Sequence, residues 1–365
     1  MYKYRAMIKP LQTRAVRILS LILAFSIPCL VQADDEDVAK PPKLFDSDEI
    51  IAITLSAPWQ DIVRNKEFQG TYPATIEYKD HDGNVVKHEL TVERRGIKRQ
   101  ATCRFPPIKL RFEKEEVKGS YFRGETSLKL VTHCENSERY DQYYLLEMMA
   151  YRIYNQVTDF SFLVQPLSIT YRDSEDGDVE EDRFGFLIED DGDVAKRNGL
   201  KKLEIDKVVP SRLDHATLSD LSIFQFLIGN TDWSPLIGPD PIECCHNVKL
   251  VAPRPLEAGD LIWPVPYDFD ASGIVDAPYA VPPESLGINS VTQRVYRGYC
   301  AHNATLQDSR QKYIDRKAAI MAVLDSDPRL TERSKKKASR FLKMSFDLIE
   351  SDKEFERLIV KRCRK

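Results

Sequence analysis

The 365-residue chain has no Gly-x-Gly-x-x-Gly run, no Cys-x-x-Cys pair, no internal repeat and no low-complexity block. The first absence removes a glycine-rich loop as the means of covering phosphates. The second leaves zinc a weak rival for the cysteines, which are scattered rather than paired at ligand spacing. With 42% hydrophobic and 30% charged residues, the composition also excludes collagen-like and wholly disordered classes. Strong net charge is missing too: the formal value of -4 gives no electrostatic case for a nucleic-acid partner. The length suits one large domain or two smaller ones with a sizeable core, and any partner must be argued from a site.

What is present begins with an export signal. Lys3, Arg5, Lys9, Arg14 and Arg17 precede the apolar run "ILSLILAFSIPCLV", and "VQA" before "DDED" offers small residues for cleavage after Ala33. Residues 1–33 are therefore expected to be a signal peptide and the folded part to be exported, periplasmic or secreted, with no stable membrane span after cleavage. A short uncleaved anchor is the alternative. Without Cys29 six cysteines remain, Cys103, Cys134, Cys244, Cys245, Cys300 and Cys363, an even number in a compartment that permits disulfides. The sequence does not choose their pairing.

After an acidic leader at residues 34–46, "IIAITLSAP" reads as a strand and "WQDIVRNK" as a short helix. Alternating residues on either side of Asp82-Gly83-Asn84 predict a hairpin. "PPIKLRFEK" and "TSLKLVTHC" are further strands, each with one lysine in an apolar run. A period near 3.6 across "YDQYYLLEMMAYRIYNQV" predicts a helix, and "FLVQPLSITYRD" with "RFGFLIED" a second hairpin. From residue 217 the pattern is mainly helical. The expected division is a sheet-rich part at 47–190 and a helical part at 191–365.

Three short segments, "GNTDWS", "HNVKL" and "PVPYDFD", carry the chemistry. Each alone reads as turn chemistry: a helix end, a turn before a strand, an Asx turn. Together they supply a carboxylate for an acceptor hydroxyl and oxygen ligands for a hard cation, in the order that phosphoryl transfer uses them. Two upstream runs add cations, "VERRGIKRQATCRFPPIKLRF" and the lysine strand before the helix, and "VYRGYC" at 295–300 is a second arginine-glycine segment without an assigned role.

These segments resemble the catalytic and metal-binding segments of the spore coat protein H (CotH) kinase-like family, and more distantly the HipA-type kinases, over roughly residues 90–275. The resemblance implies an α+β, bilobal protein-kinase-like fold with ATP in a cleft between a sheet-rich N-terminal lobe and a mainly helical C-terminal lobe. It casts Asp232 as the catalytic aspartate and Asn247 and Asp268, with Asp270 beside them, as holders of Mg2+ or Mn2+. Lys129 and Lys109 are alternatives for the phosphate-binding lysine, Glu147 is the helix partner of that lysine, and Glu189 would orient the nucleotide or merely begin a loop. Arg94, Arg95, Lys98 and Arg99 offer a cationic lid in place of a glycine loop. One departure is the insert "WSPLIGPDPIECC" between Asp232 and Asn247, whose two cysteines would shape the loop if disulfides tied them elsewhere. The expected function is an exported, ATP-dependent phosphotransferase acting on a hydroxyl of a protein, serine or threonine first, or of a small molecule. The alternatives are a catalytically silent kinase-like binding protein and a metal-dependent phosphohydrolase.

Overall fold

Strand alternation governs the first half of the computed structural model, which describes residues 43–96, 98–238 and 244–365. The strands are β1 (Ile51–Ala57), β2 (Thr71–Lys79), β3 (Val85–Arg94), β4 (Ile108–Arg111), β5 (Ser127–Val131), β6 (Val164–Asp173) and β7 (Val179–Ile188). Helices α1 (Trp59–Arg64), α2 (Lys98–Thr102) and α3 (Glu138–Asn155) lie between them in sequence. Both predicted hairpins form, β2 with β3 and β6 with β7. The predicted signal peptide and most of the 34–46 leader fall outside the described residues.

The seven strands close into a barrel in the order β1-β2-β3-β4-β5-β7-β6. All neighbours are antiparallel except the closing pair, β1 and β6, which run parallel in the register Ile51↔Leu167 to Ala57↔Asp173. Closure leaves no sheet edge to be covered. Inward residues such as Leu55, Ile76, Val92, Leu110, Leu130 and Ile169 are fully buried and fill the barrel, so its interior is a packed core rather than a ligand channel.

The bilobal protein-kinase-like fold implied by the resemblance is not the fold of this chain. Both edges of β1 are paired, so there is a closed barrel where an open sheet-rich lobe was expected. The barrel's outer face also shares one continuous apolar core with the rest of the chain: Val131, Val164, Phe184 and Phe186 belong with Tyr151 and Tyr154 of α3 and with later helices. Residues Tyr144 to Tyr154 of α3 are buried on every side, as expected of a helix enclosed within a core.

Beyond the barrel come α4 (Asp191–Arg197), β8 (Lys201–Leu203), α5 (His215–Ile228), β9 (Val248–Ala252) and β10 (Trp263–Pro266), then α6 (Leu306–Asp315), α7 (Lys317–Ala322), α8 (Glu332–Glu350) and α9 (Asp352–Leu358). Asp214 caps α5, accepting from the Thr217 amide at 2.8 Å. The strands β8, β9 and β10 make a small antiparallel sheet with β9 in the middle. Among the described residues no helix is long and apolar enough to cross a membrane. Three cysteine pairs lie at disulfide distance, Cys103–Cys134, Cys244–Cys245 and Cys300–Cys363, which is compatible with an exported protein.

Candidate functional site

Local packing brings the three polar segments to one place. Helix α5 ends at Gly229, whose left-handed φ of +68° suits glycine. A Cβ there would stand 2.9 Å from Phe341 and 3.4 Å from Gly273, so the chain after α5 can lie against the chain after β10. Two amides seal that contact, Gly273 to the Gly229 carbonyl at 3.1 Å and Ile274 to the Ile228 carbonyl at 3.0 Å. The "GNTD" and "DFDASG" segments are neighbours for this reason.

The insert is closed at its base rather than by its cysteines. Ser234 and His246 form a two-bond antiparallel bridge at 2.8 and 3.0 Å, which returns the chain to Asp232. Cys244 and Cys245 pair with each other, so no distant disulfide shapes the loop. The Asn247 side-chain Nδ2 then donates to the Asp232 backbone carbonyl at 2.7 Å, and the Tyr267 backbone amide donates to the Asn247 backbone carbonyl at 3.0 Å. His246, which the sequence reading placed in a turn, bonds Asp232 Oδ1 through Nε2 at 2.7 Å. That bond is the main reason the His246 pKa lies above its ordinary value, against the opposing effect of burial.

The Asp268-Phe269-Asp270 turn is set by its middle residue. Phe269 is fully buried, 4.6 Å from Tyr151 of α3 and 5.1 Å from Phe224 of α5. The two aspartates consequently meet different surroundings. Asp268 has a φ of +63°, and its amide donates to the Tyr151 hydroxyl at 2.9 Å. Its half-buried carboxylate has no hydrogen-bond or ion-pair partner among the described residues, while Arg95 and Lys129 act on it through space. Asp270 is buried with Glu147, Arg99, Tyr144 and Tyr279. Asn247 shares the left-handed backbone, with a φ of +52°. Two non-glycine residues in this sparsely populated region, side by side and both polar, are the pattern of backbone held for a ligand.

The cations come from the barrel. Lys129 and Lys109 are register partners on β5 and β4, so both project from the outer face. Lys129 lies 4.4 Å over the Tyr267 ring, and Lys249 of β9 lies 5.7 Å from the same ring. Burial first, then Arg95 and Lys249, push the Lys129 ammonium down to about 7. Lys109 turns instead to Glu93 at 3.9 Å, which favours Lys129 of the two candidates for a site cation. Burial likewise lowers the Arg95 pKa, partly opposed by Asp268.

Glu147 is buried as expected, but the cation beside it is Arg99 of α2, at 3.9 Å, and not a strand lysine. Burial and the nearby Asp270 carboxylate raise the Glu147 pKa well above its ordinary value. Around Arg99, burial opposes its charge, yet the Tyr279 and Tyr144 hydroxyls with Glu147 and Asp270 outweigh it and hold its pKa high. Arg95 Nε, Arg99 Nε and Glu147 Oε2 are buried with no hydrogen bond among the described residues, Glu147 Oε2 keeping only its ion pair with Arg99. Glu189 does not join them: it accepts from the Leu163 amide at 2.9 Å and from Arg197 at 3.0 Å, and so fastens the end of β7 to α4.

As metal donors, Asp268 and the side-chain oxygen of Asn247 form a small set. Among the described residues no three His, Cys, Asp or Glu side chains converge as metal ligands. Two protein oxygens are the number that magnesium takes when phosphate and water complete its shell. Sequence reasoning missed His246, Lys249 and Tyr267, and it offered Arg99 as part of a cationic lid rather than as the neighbour of Glu147. The signal for His246 was its position beside Asn247; the other two follow only from how the small sheet packs against β5. No protein-family model, curated protein or solved structure matches this chain.

Proposed function

We propose that this site transfers the γ-phosphoryl group of ATP to a hydroxyl acceptor, on a barrel-based scaffold. The carrying observation is Asp268: a half-buried carboxylate with left-handed backbone and no described partner, beside Asn247 and facing Arg95 and Lys129. A carboxylate whose oxygens have no direct partner among the described residues keeps them open to a hard cation. The likeness of the three segments to CotH-type motifs supports the same reading, because a site can recur on different folds.

Asp268 and Asn247 are the residues that would hold magnesium, which when bound neutralises charge on the phosphates. Arg95 and Lys129 bind phosphate oxygens, and Tyr267, beneath Lys129, fixes that ammonium's direction. The Asp232–His246 pair accepts the proton of the acceptor hydroxyl as its oxygen attacks the γ-phosphorus. The bond from γ-phosphorus to the bridging oxygen breaks and ADP leaves. Positioning and charge neutralisation supply most of the rate, which is why few residues suffice.

The same pair would equally activate water, so a phosphohydrolase differs only in what occupies the acceptor position. Incubation with magnesium or manganese and γ-labelled ATP separates the readings, alongside Asp232→Ala and Asp268→Ala. Label on a protein or small molecule that is lost in both variants supports transfer, and labelled free phosphate supports hydrolysis. Binding of ATP with neither product supports a silent binding protein, and no metal-dependent binding sinks all three.

A further inference from the structure

The arginine-glycine segment at 295–300 borders a cavity of about 540 Å3 that the proposed ATP chemistry does not use. Arg294, Arg297, Arg362 and Arg364 line it together with Tyr296 and Leu358, and no acidic residue does. None of the four arginines makes an ion pair with a described carboxylate. Their neighbours are neutral: Arg294 donates to Ser345 Oγ and the Phe341 carbonyl, each at 2.7 Å, and Arg364 donates to the Tyr299 hydroxyl at 3.2 Å. The Arg362 side chain is exposed and makes no hydrogen bond to a described residue, while its backbone amide donates to the Ile359 carbonyl at 3.2 Å. In a chain whose formal charge is -4, four guanidiniums on one concave surface without an ion-paired carboxylate, Asp232 acting on Arg297 only through space, are not the chance outcome of a basic composition.

The cluster is also fastened in place. Residues 362–364 follow α9 and are held by the Cys300–Cys363 pair and by the bridge between Tyr299 and Arg364. The Arg364 amide donates to the Gly298 carbonyl at 2.8 Å, and the Cys300 amide donates to the Arg364 carbonyl at 2.9 Å. This stitching brings two tail arginines beside Arg297. The Arg297 guanidinium in turn donates to the Thr231 carbonyl, one residue before Asp232, and acts through space on His246. One side chain therefore belongs both to the arginine cavity and to the neighbourhood of the proton-accepting pair.

We propose that this cavity binds a tetrahedral oxyanion, a phosphate or sulfate group, carried by the acceptor substrate. The anion-binding claim stands on the cavity alone; its assignment to the acceptor rests on the phosphoryl-transfer reading. Guanidiniums match such oxygens with paired N–H groups, and the position of Arg297 would present a hydroxyl on the same molecule to Asp232 and His246. The acceptor class is then an already phosphorylated or sulfated alcohol rather than a basic or neutral one.

Inorganic phosphate, titrated calorimetrically into the full mature chain in chloride buffer without nucleotide or divalent metal, is the probe. The doubly substituted Arg362→Gln/Arg364→Gln protein, altered only at exposed positions, should bind at least about tenfold more weakly. The control is Lys118→Gln, at an exposed lysine that lines neither site, which should leave the constant within about twofold. A thermal melt matching the parent chain establishes that the double variant is folded. Phosphate binding that the arginine variant retains at parental strength, or no binding up to tens of millimolar phosphate, overturns the proposal. Asp268→Ala separates it from the transfer reading: arginine-dependent phosphate binding should survive there even when label transfer does not occur in any form of the protein.

Discussion

Lys129 offers the sharpest pH signature of a phosphate site. With its ammonium pushed to about 7, the free protein carries it about nine-tenths neutral at pH 8. A phosphate ligand needs the charged form, so binding must draw a proton from solvent. If the ligand restores the ordinary lysine value, uptake is about 0.9 proton per ligand at pH 8, nearly one at pH 9 and close to zero at pH 5.5. The association constant should accordingly fall about tenfold per pH unit above 7. Calorimetry of magnesium–ATP binding at pH 8.5, in two buffers of different ionisation enthalpy, reads the uptake directly, and Lys129→Met should abolish it. The reasoning is refuted if the parent chain takes up no proton at pH 8.5, or if the methionine variant takes up the same number. Stability follows the same sign. A folded value below the unfolded one means that the unfolded chain binds more protons between about 7 and 10.5, so stability from this group rises with pH across that window. Lys129→Met should flatten that rise.

Other outcomes follow from buried groups around the site. Glu125 is 2% exposed, and burial with Asp193, Asp190 and Glu189 nearby pushes its carboxyl up to about 8. Its neutral form is thus favoured in the fold, and the stability this confers is complete below the unfolded value of 4.5 and lost as pH rises through about 8. Glu125→Gln should be more stable than the parent at pH 9, on the order of 5 kcal/mol, and equal to it near pH 4, as read by denaturant titration. Asn247→Ala should cost about 1 kcal/mol more than Asn247→Gly, because only glycine accepts the left-handed backbone without strain. Both should lose metal-dependent nucleotide binding. Phe269→Ala should destabilise by about 3–5 kcal/mol through the cavity left between Tyr151 and Phe224, measured by chemical unfolding.

The strands and long helices were legible because their periodicity is local. The 71–94 hairpin, the 138–155 helix and the second hairpin all stand where alternation or the 3.6-residue period placed them. Closure of the barrel was not legible. It depends on the parallel pairing of Ile51–Ala57 with Leu167–Asp173, and a strand alternates identically whether its sheet is open or closed. The resemblance carried a fold expectation with it, and that part failed while the named segments still met.

Within the site, the convergence of Asp232, Asn247 and Asp268 was inferred from their order, and hydrogen bonds at Ser234, Tyr267 and Gly273 give it a physical cause. Preferring Lys129 to Lys109 needed tertiary contacts, with Tyr267 under one and Glu93 beside the other, since register puts both on the outer face. Arg99 as the partner of Glu147 needed tertiary packing, because a helix of five residues carries no readable face. The cysteine pairing was open on principle, and adjacent Cys244 and Cys245 pairing with each other left the insert to be closed by backbone hydrogen bonds.

Crystals grown with manganese and a non-hydrolysable ATP analogue would test the central claim most directly, through the anomalous signal of the metal. The account predicts a peak at coordination distance from an Asp268 carboxylate oxygen and the Asn247 side-chain oxygen, with the analogue's phosphates against Arg95 and Lys129. A nucleotide and metal bound elsewhere, or phosphates in this site with no metal at Asp268, would contradict it.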